Sequence, residues 1–190
     1  MITPQLKHLI RPSVLVMRTV WAIITGSVLF YLVLAYVLEA GGRSARLPGI
    51  GVMEAVLYLA AAAAAVASVL YHRYSLSDAR LSMFLKRDVD VADLSRAMGA
   101  KGAEYGQLAQ IKSMSAFDRR ALSLMYRLQK ISLINLILNE MVIILGFVIA
   151  FLSGYYLKIV PFGIVSLLLC IWMFPKPEQV IEKARIIFPE

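Results

Sequence analysis

The chain holds one cysteine, Cys170, and two histidines, His8 and His72. A lone thiol forms no internal disulfide, and two imidazoles build neither a histidine-rich metal site nor a self-contained di-haem cytochrome. Charge is scarce as well. Asp, Glu, Lys and Arg make up 17% of the chain, against about 25% in a soluble domain. The short signatures of common enzymes are missing: there is no G-x-S-x-G, no H-E-x-x-H, no phosphate-binding loop and no pair of cysteines. No catalytic or metal-binding set is therefore assigned, no cofactor is expected, and the chain is not expected to be an enzyme.

Apolar surface is what the sequence has in abundance. Hydrophobic residues are 60% of 190, and the mean hydropathy is +0.74. A chain this short leaves much of its surface outside any core, so something other than water must cover the excess. Lipid is the expected cover. Four apolar runs approach the roughly 20 residues that a bilayer core demands: Thr19–Leu38, Gly51–Leu70, Leu133–Ser153 and the shorter Ile159–Phe174, which has Pro161 and Gly163 near its start. Hydrocarbon offers no partner to backbone N–H and C=O groups, so each run is expected to be a helix.

The expected fold is an all-α integral membrane protein with four transmembrane helices and a helical cytoplasmic insertion between spans two and three. Residues 1–71 form an N-terminal segment with the first two spans, and 72–131 the cytoplasmic helical segment. Residues 132–174 hold spans three and four, and 175–190 a cytoplasmic amphipathic tail. The first apolar run exceeds the length of a signal-peptide core, and Gly41-Gly42-Arg43 is a poor cleavage site, so the run is read as an anchor that stays.

Lys and Arg set the orientation. Seventeen lie in the N-terminal segment, the middle segment and the tail, against three (Arg43, Arg46 and Lys158) in the other two connections. Cytoplasmic loops accumulate such residues, which puts both termini and the middle segment in the cytoplasm of a cell with an inner membrane. Trp21 and Trp172 then mark the inner boundary, and Tyr155 and Tyr156 the outer one.

The middle segment is patterned. Ser77-Asp78 reads as a helix start, with Leu81, Phe84 and Leu85 beyond it on one face. Asp88 to Asp93 alternates acid and valine and leads into a short helix ending near Gly99; Gly99, Gly102 and Gly106 then break the pattern. Ser115-Ala116-Phe117-Asp118 fits a capping box. Beyond it Phe117, Ala121, Leu124, Leu128 and Ile131 form a stripe. No Pro or Gly intervenes before Gly146, which predicts one helix from Ala116 to Ser153, about 57 Å long. In the tail, Val180, Ile181, Ala184 and Ile187 share a face after Pro175-Lys176-Pro177, as in a helix lying on the membrane surface or on a partner.

Glu140 is the most informative single residue. It lies seven residues into span three, about 10 Å deep, where a charge costs about 2.5–3.5 kcal/mol on insertion scales. It is protonated, paired or set against a wet cavity, either as a proton or cation carrier or as a polar packing contact. Its surroundings favour packing. Ser132, Asn139, Gly146 and Ser153 recur every seven residues with Asn135 on the same side, and span four offers Gly163, Ser166 and Cys170. Small and amide residues in stripes allow helices to approach closely and hydrogen-bond. Span two offers Ala61, Ala65 and Ser68, between Glu54 near its outer end and His72 near its inner end.

The run from Glu140 through Gly146 and Ala150 to Leu152 resembles the carboxylate-bearing helix of rotor-ring proteolipid c subunits. There an acid is followed six residues later by Gly and ten later by Ala. That resemblance implies an ion carried on Glu140. It covers about a dozen residues, apolar helices match one another cheaply, and the long segment between spans two and three departs from that family's short polar loop. No membership is assigned.

The remaining candidates have plainer explanations. Asp88, Asp90 and Asp93 are read as a solvated helix start rather than a metal site. Cys170 is read as inert in apolar company, and His72 as a residue of the membrane interface. The basic segment adjoins lipid headgroups, so nucleic acid is not an expected partner. The expected partners are the bilayer and other membrane subunits. The expected function is a non-catalytic accessory subunit of an inner-membrane complex; the competing one is a proton- or cation-conducting subunit using Glu140.

Overall fold

A computed structural model describes residues 4–42, 51–86, 94 and 111–187. The described residues hold helices and no strand: α1 (Pro4–Ala40), α2 (Gly51–Ser75), α3 (Asp78–Lys86), α4 (Ala116–Ser153), a 3-10 turn η1 (Tyr156–Ile159), α5 (Val160–Trp172) and α6 (Pro177–Ile187). The loop arginines Arg43 and Arg46, the acids Asp88, Asp90 and Asp93, the short helix ending near Gly99, and Gly99, Gly102 and Gly106 lie outside the described residues.

The chain divides into two compact units. One is Met1–Met17, Tyr74–Ser132 and Pro175–Glu190; the other is Arg18–Arg73 and Leu133–Phe174. We call them the basic unit and the apolar unit.

The apolar unit contains the four apolar runs. Val28 and Ala35 of α1, Ala61 of α2, Val142, Ile143, Ile149 and Ala150 of α4, then Ile159 and Phe162, form its core. Gly146 makes room for a ring: a Cβ there would lie 2.6 Å from the Cβ and Cγ of Phe162. Helix α4 stops at Gly154, whose φ of 74° favours a residue without a side chain. The N–H groups of Gly154 and Tyr155 both donate to the Ala150 carbonyl, at 2.9 and 3.2 Å. Pro161 sits in the first turn of α5, where its missing N–H has no partner to lose, so it starts the helix rather than breaking it.

The expectation of four spans holds only in part. Among the described residues, three helices are long and apolar enough to cross a membrane: Leu6–Ala40, Gly51–Ser75 and Ala116–Ser153. Helix α5 has 13 residues, about 20 Å of rise against the roughly 30 Å of a hydrocarbon core. A fourth crossing arises only if η1–α5 and α6 count together as one bent pair. The glycine stop of α4 and the late start at Val160 use up the residues that would have lengthened α5.

In the basic unit, Leu6, Ile10, Val14 and Met17 recur at helical spacing along the first part of α1 and pack with Leu94, Ile111, Met114, Ala121, Leu122, Met125 and Ile181. A second cluster joins Leu81, Leu124, Leu128 and Ala184, with Phe84 and Val180 against it. The first part of α4 is thus flanked by two clusters, which is why Leu122 and Met125 are buried beside the expected stripe. The amphipathic face of α6 also lies in these clusters, through Ile181 and Ala184. The tail covers its own chain, where the sequence pattern left its face to the membrane surface or a partner. Ser115 caps α4 as its sequence predicts, its Oγ accepting the Asp118 N–H at 3.1 Å.

Gly146→Ala should lower stability by about 1–3 kcal/mol, because Phe162 must shift. Gly26→Ala, with no atom within 4 Å of the added Cβ, should raise it by about 0.5–1 kcal/mol through helix propensity. Unfolding in mixed detergent micelles followed by circular dichroism checks both signs; equal effects would contradict the Phe162 contact.

Candidate functional site

The polar side chains of the apolar unit form the candidate site, and α4 supplies most of them. Asn135 and Asn139 are one helical turn apart on the same face, and both are buried. Both amide hydrogens of Asn139 are used: Nδ2 donates to the Ser166 carbonyl at 3.0 Å and to the Cys170 sulfur at 2.8 Å. Ser166 Oγ returns a hydrogen bond to the Asn139 carbonyl at 3.3 Å. Further along, the Trp21 indole N–H donates to the Cys170 carbonyl at 2.8 Å, so one turn of α5 is held by α4 and α1 together.

Asn135 serves the other side of the seam. Its Nδ2 lies 3.1 Å from His72 Nδ1, and its backbone carbonyl accepts from Ser68 Oγ at 3.4 Å. Ser68 Oγ is also 3.5 Å from the Met173 sulfur. His72, expected as an interface residue, therefore also ties α2 to α4. The side-chain carbonyl oxygens of Asn135 and Asn139 are buried with no hydrogen-bond partner among the described residues.

Glu140 is half-buried, and its Oε1 lies 3.3 Å from Ser27 Oγ. Ser27 has one hydroxyl proton, and its Oγ is also 2.7 Å from the Ile24 carbonyl. That one proton therefore serves either the Ile24 carbonyl or the Glu140 carboxyl, with the shorter contact to Ile24. At the opposite end of these helices Lys158 Nζ pairs with Glu54 Oε1 at 2.6 Å, and Glu39 Oε2 accepts the Tyr156 N–H at 2.7 Å.

The expected packing stripe is only partly one seam. Asn139 and Ser166 meet as the two stripes require. Gly146 receives Phe162 rather than a second small residue, and Gly163 faces Leu32 of α1, whose Cδ2 would lie 2.9 Å from an added Cβ. Ser153 is buried but bonds back to Ala150 of its own helix at 3.4 Å. Ser132 falls in the basic unit, half-exposed.

Ser27, Trp21, Met173 and Glu39 are not legible as site residues in the sequence. Ser27 and Met173 carry no signal of their own. Trp21 reads as a boundary aromatic, which hides its hydrogen bond. Glu39 does carry one: an acid near a helix C-terminus opposes the helix dipole, and here it meets the favourable N-terminal end of η1 instead.

No group of three or more His, Cys, Asp or Glu among the described residues is placed to hold a metal. Comparison with family models, curated proteins and solved structures finds no match.

Asn139→Ala should cost about 1–2 kcal/mol, the upper range for interhelical hydrogen bonds in membranes. Ser132→Ala should change stability by less than about 0.5 kcal/mol. Denaturation midpoints in the same micelles compare the two, and a cost for Asn139→Ala no larger than that for Ser132→Ala would remove the amide from its fastening role.

Proposed function

We propose that the chain is a non-catalytic accessory subunit of a multi-subunit inner-membrane complex, spanning the bilayer four times with both termini cytoplasmic. The observation that carries this reading is the open face of α2. Of its 25 residues only Ala61 and Ser68 are buried, and Ala60, Ala62, Ala63 and Ala67 are exposed. Lipid tails gain little from alanine, whereas small side chains let another helix come close. The polar groups support the same reading. Asn135, Asn139, Glu54 and His72 engage this chain's own helices, leaving apolar contact as the means of meeting a neighbour. The excess of Lys and Arg in three of the five connecting segments supports the orientation.

Extraction in mild detergent followed by native mass measurement tests this. The expected result is a mass above 21.1 kDa that reflects bound subunits. Ala63→Phe should reduce it towards the single chain without lowering the unfolding midpoint. A native protein that is monomeric and free of copurifying subunits contradicts the proposal.

A second reading, conduction of protons or cations, rests on Glu140, whose carboxyl lies against the Ser27 hydroxyl at 3.3 Å. Glu54 and His72 do not extend it into a path, since each closes a separate helix pair. Flux into liposomes decides between the readings. Glu140→Gln preserves shape and can donate to Ser27 but cannot ionise. Flux lost in Glu140→Gln with assembly intact favours conduction; no flux in either protein, with Glu140→Leu disrupting the assembly, favours a packing role.

A further inference from the structure

One end of the apolar unit gathers rings and arginines. The Arg73 guanidinium carbon lies 6.0 Å from the centre of the Trp172 ring, and that of Arg18 lies 6.0 Å from Phe174. Trp21 meets Phe174 edge-on at 4.9 Å, and His72 lies 5.0 Å from Trp172. Local acceptors are already engaged. Met173 N–H donates to the Leu169 carbonyl, Phe174 N–H to that of Ile171, and the Trp21 indole to that of Cys170. His72 is taken by Asn135.

The carboxylates of this unit are engaged elsewhere. Glu39 accepts the Tyr156 N–H, Glu54 pairs with Lys158, and Glu140 contacts Ser27. Arg73 is exposed and makes no ion pair with a described residue. A ring beneath a guanidinium orients it without neutralising its charge. Its forked donors then remain available to an anion from outside the chain. Beside it, Leu70, Leu168 and Ile171 are exposed.

The geometry points to an anionic phospholipid as the occupant: its phosphate on Arg73 against the Trp172 ring, its acyl chains along Leu70, Leu168 and Ile171. The charge is complementary, Trp is at home at headgroup depth, and the apolar side chains continue towards the hydrocarbon. This rests on the membrane-spanning reading above. Arg73 supplies the attraction and Trp172 fixes its direction.

The test uses the full chain in phosphatidylcholine nanodiscs containing a minor share of tail-brominated phosphatidylglycerol or, separately, tail-brominated phosphatidylcholine, with tryptophan quenching as the readout. Phosphatidylglycerol should be enriched about fivefold at the protein, the worth of one arginine near the surface, and the excess should fall at high salt. Arg73→Gln should bring its quenching down to the phosphatidylcholine level, while Arg73→Lys should keep most of the excess. A Trp21→Phe background leaves Trp172 as the one tryptophan reporting in every arm. Equal quenching by the two lipids in the native protein overturns the headgroup site and leaves the membrane reading standing. Quenching by neither overturns both. An excess that survives Arg73→Gln overturns the assignment to this place.

Discussion

Burying an amide among apolar helices is costly unless it finds partners in the protein, and the α4 seam of the apolar unit is arranged around that constraint. Asn139 places two hydrogens on α5 within one turn, and Asn135 places its amide on α2. Apolar contact in a membrane slides easily, because one hydrocarbon surface resembles another. A directional bond at a fixed depth sets the register. Once Asn139 is seated on Ser166, Phe162 falls one turn further on, against Gly146, and the glycine becomes the space that a ring needs. Neighbouring contacts along the seam have little freedom left.

The two units use their polar residues differently. In the basic unit most charged groups of the described residues stay at least partly exposed, with Asp118 buried; Lys183 and Asp78 at 2.5 Å form an exposed pair whose contribution is small. Its cohesion comes from apolar clusters that draw on the first part of α1, α3, the first part of α4 and α6. In the apolar unit many exposed side chains are as apolar as the buried ones, so hydrogen bonds and close-fitting glycines carry the specificity. Helices α1 and α4 contribute to both units, and the composition of α4 changes along its length accordingly: Arg119, Arg120 and Arg127 before residue 133, one ionisable residue, Glu140, after it.

Much of the fold is legible in the sequence. The start of α4 at Ala116 follows from a serine whose hydroxyl accepts the backbone N–H three residues on, and its end at Ser153 from the glycine behind it, both local effects. That Asn139 needs a partner is legible, because a buried amide in a span demands one, although its choice of Ser166 is not. Nor is the neighbour of Gly163, because a small residue says that something comes close without saying what. Leu32 on α1 fills that place rather than α4. The destination of the tail is hidden for a related reason: an amphipathic face shows that it will be covered, but the cover, here Leu124 and Leu128 with Leu81, lies more than fifty residues away in the chain.

The sequence by itself determined the helical class, the apolar runs, the long uninterrupted α4 and the asymmetry of basic residues. Each depends on composition or on neighbours within a few residues, where hydrophobicity, capping and proline chemistry act directly. Tertiary structure decided which helices share a seam, that α5 is too short to cross alone, that Glu140 meets Ser27 and Glu39 meets the start of η1, and that the tail folds into the basic unit. Those outcomes depend on pairing between distant segments. Small, polar and amphipathic residues there announce a need for a partner, and only packing in three dimensions selects it.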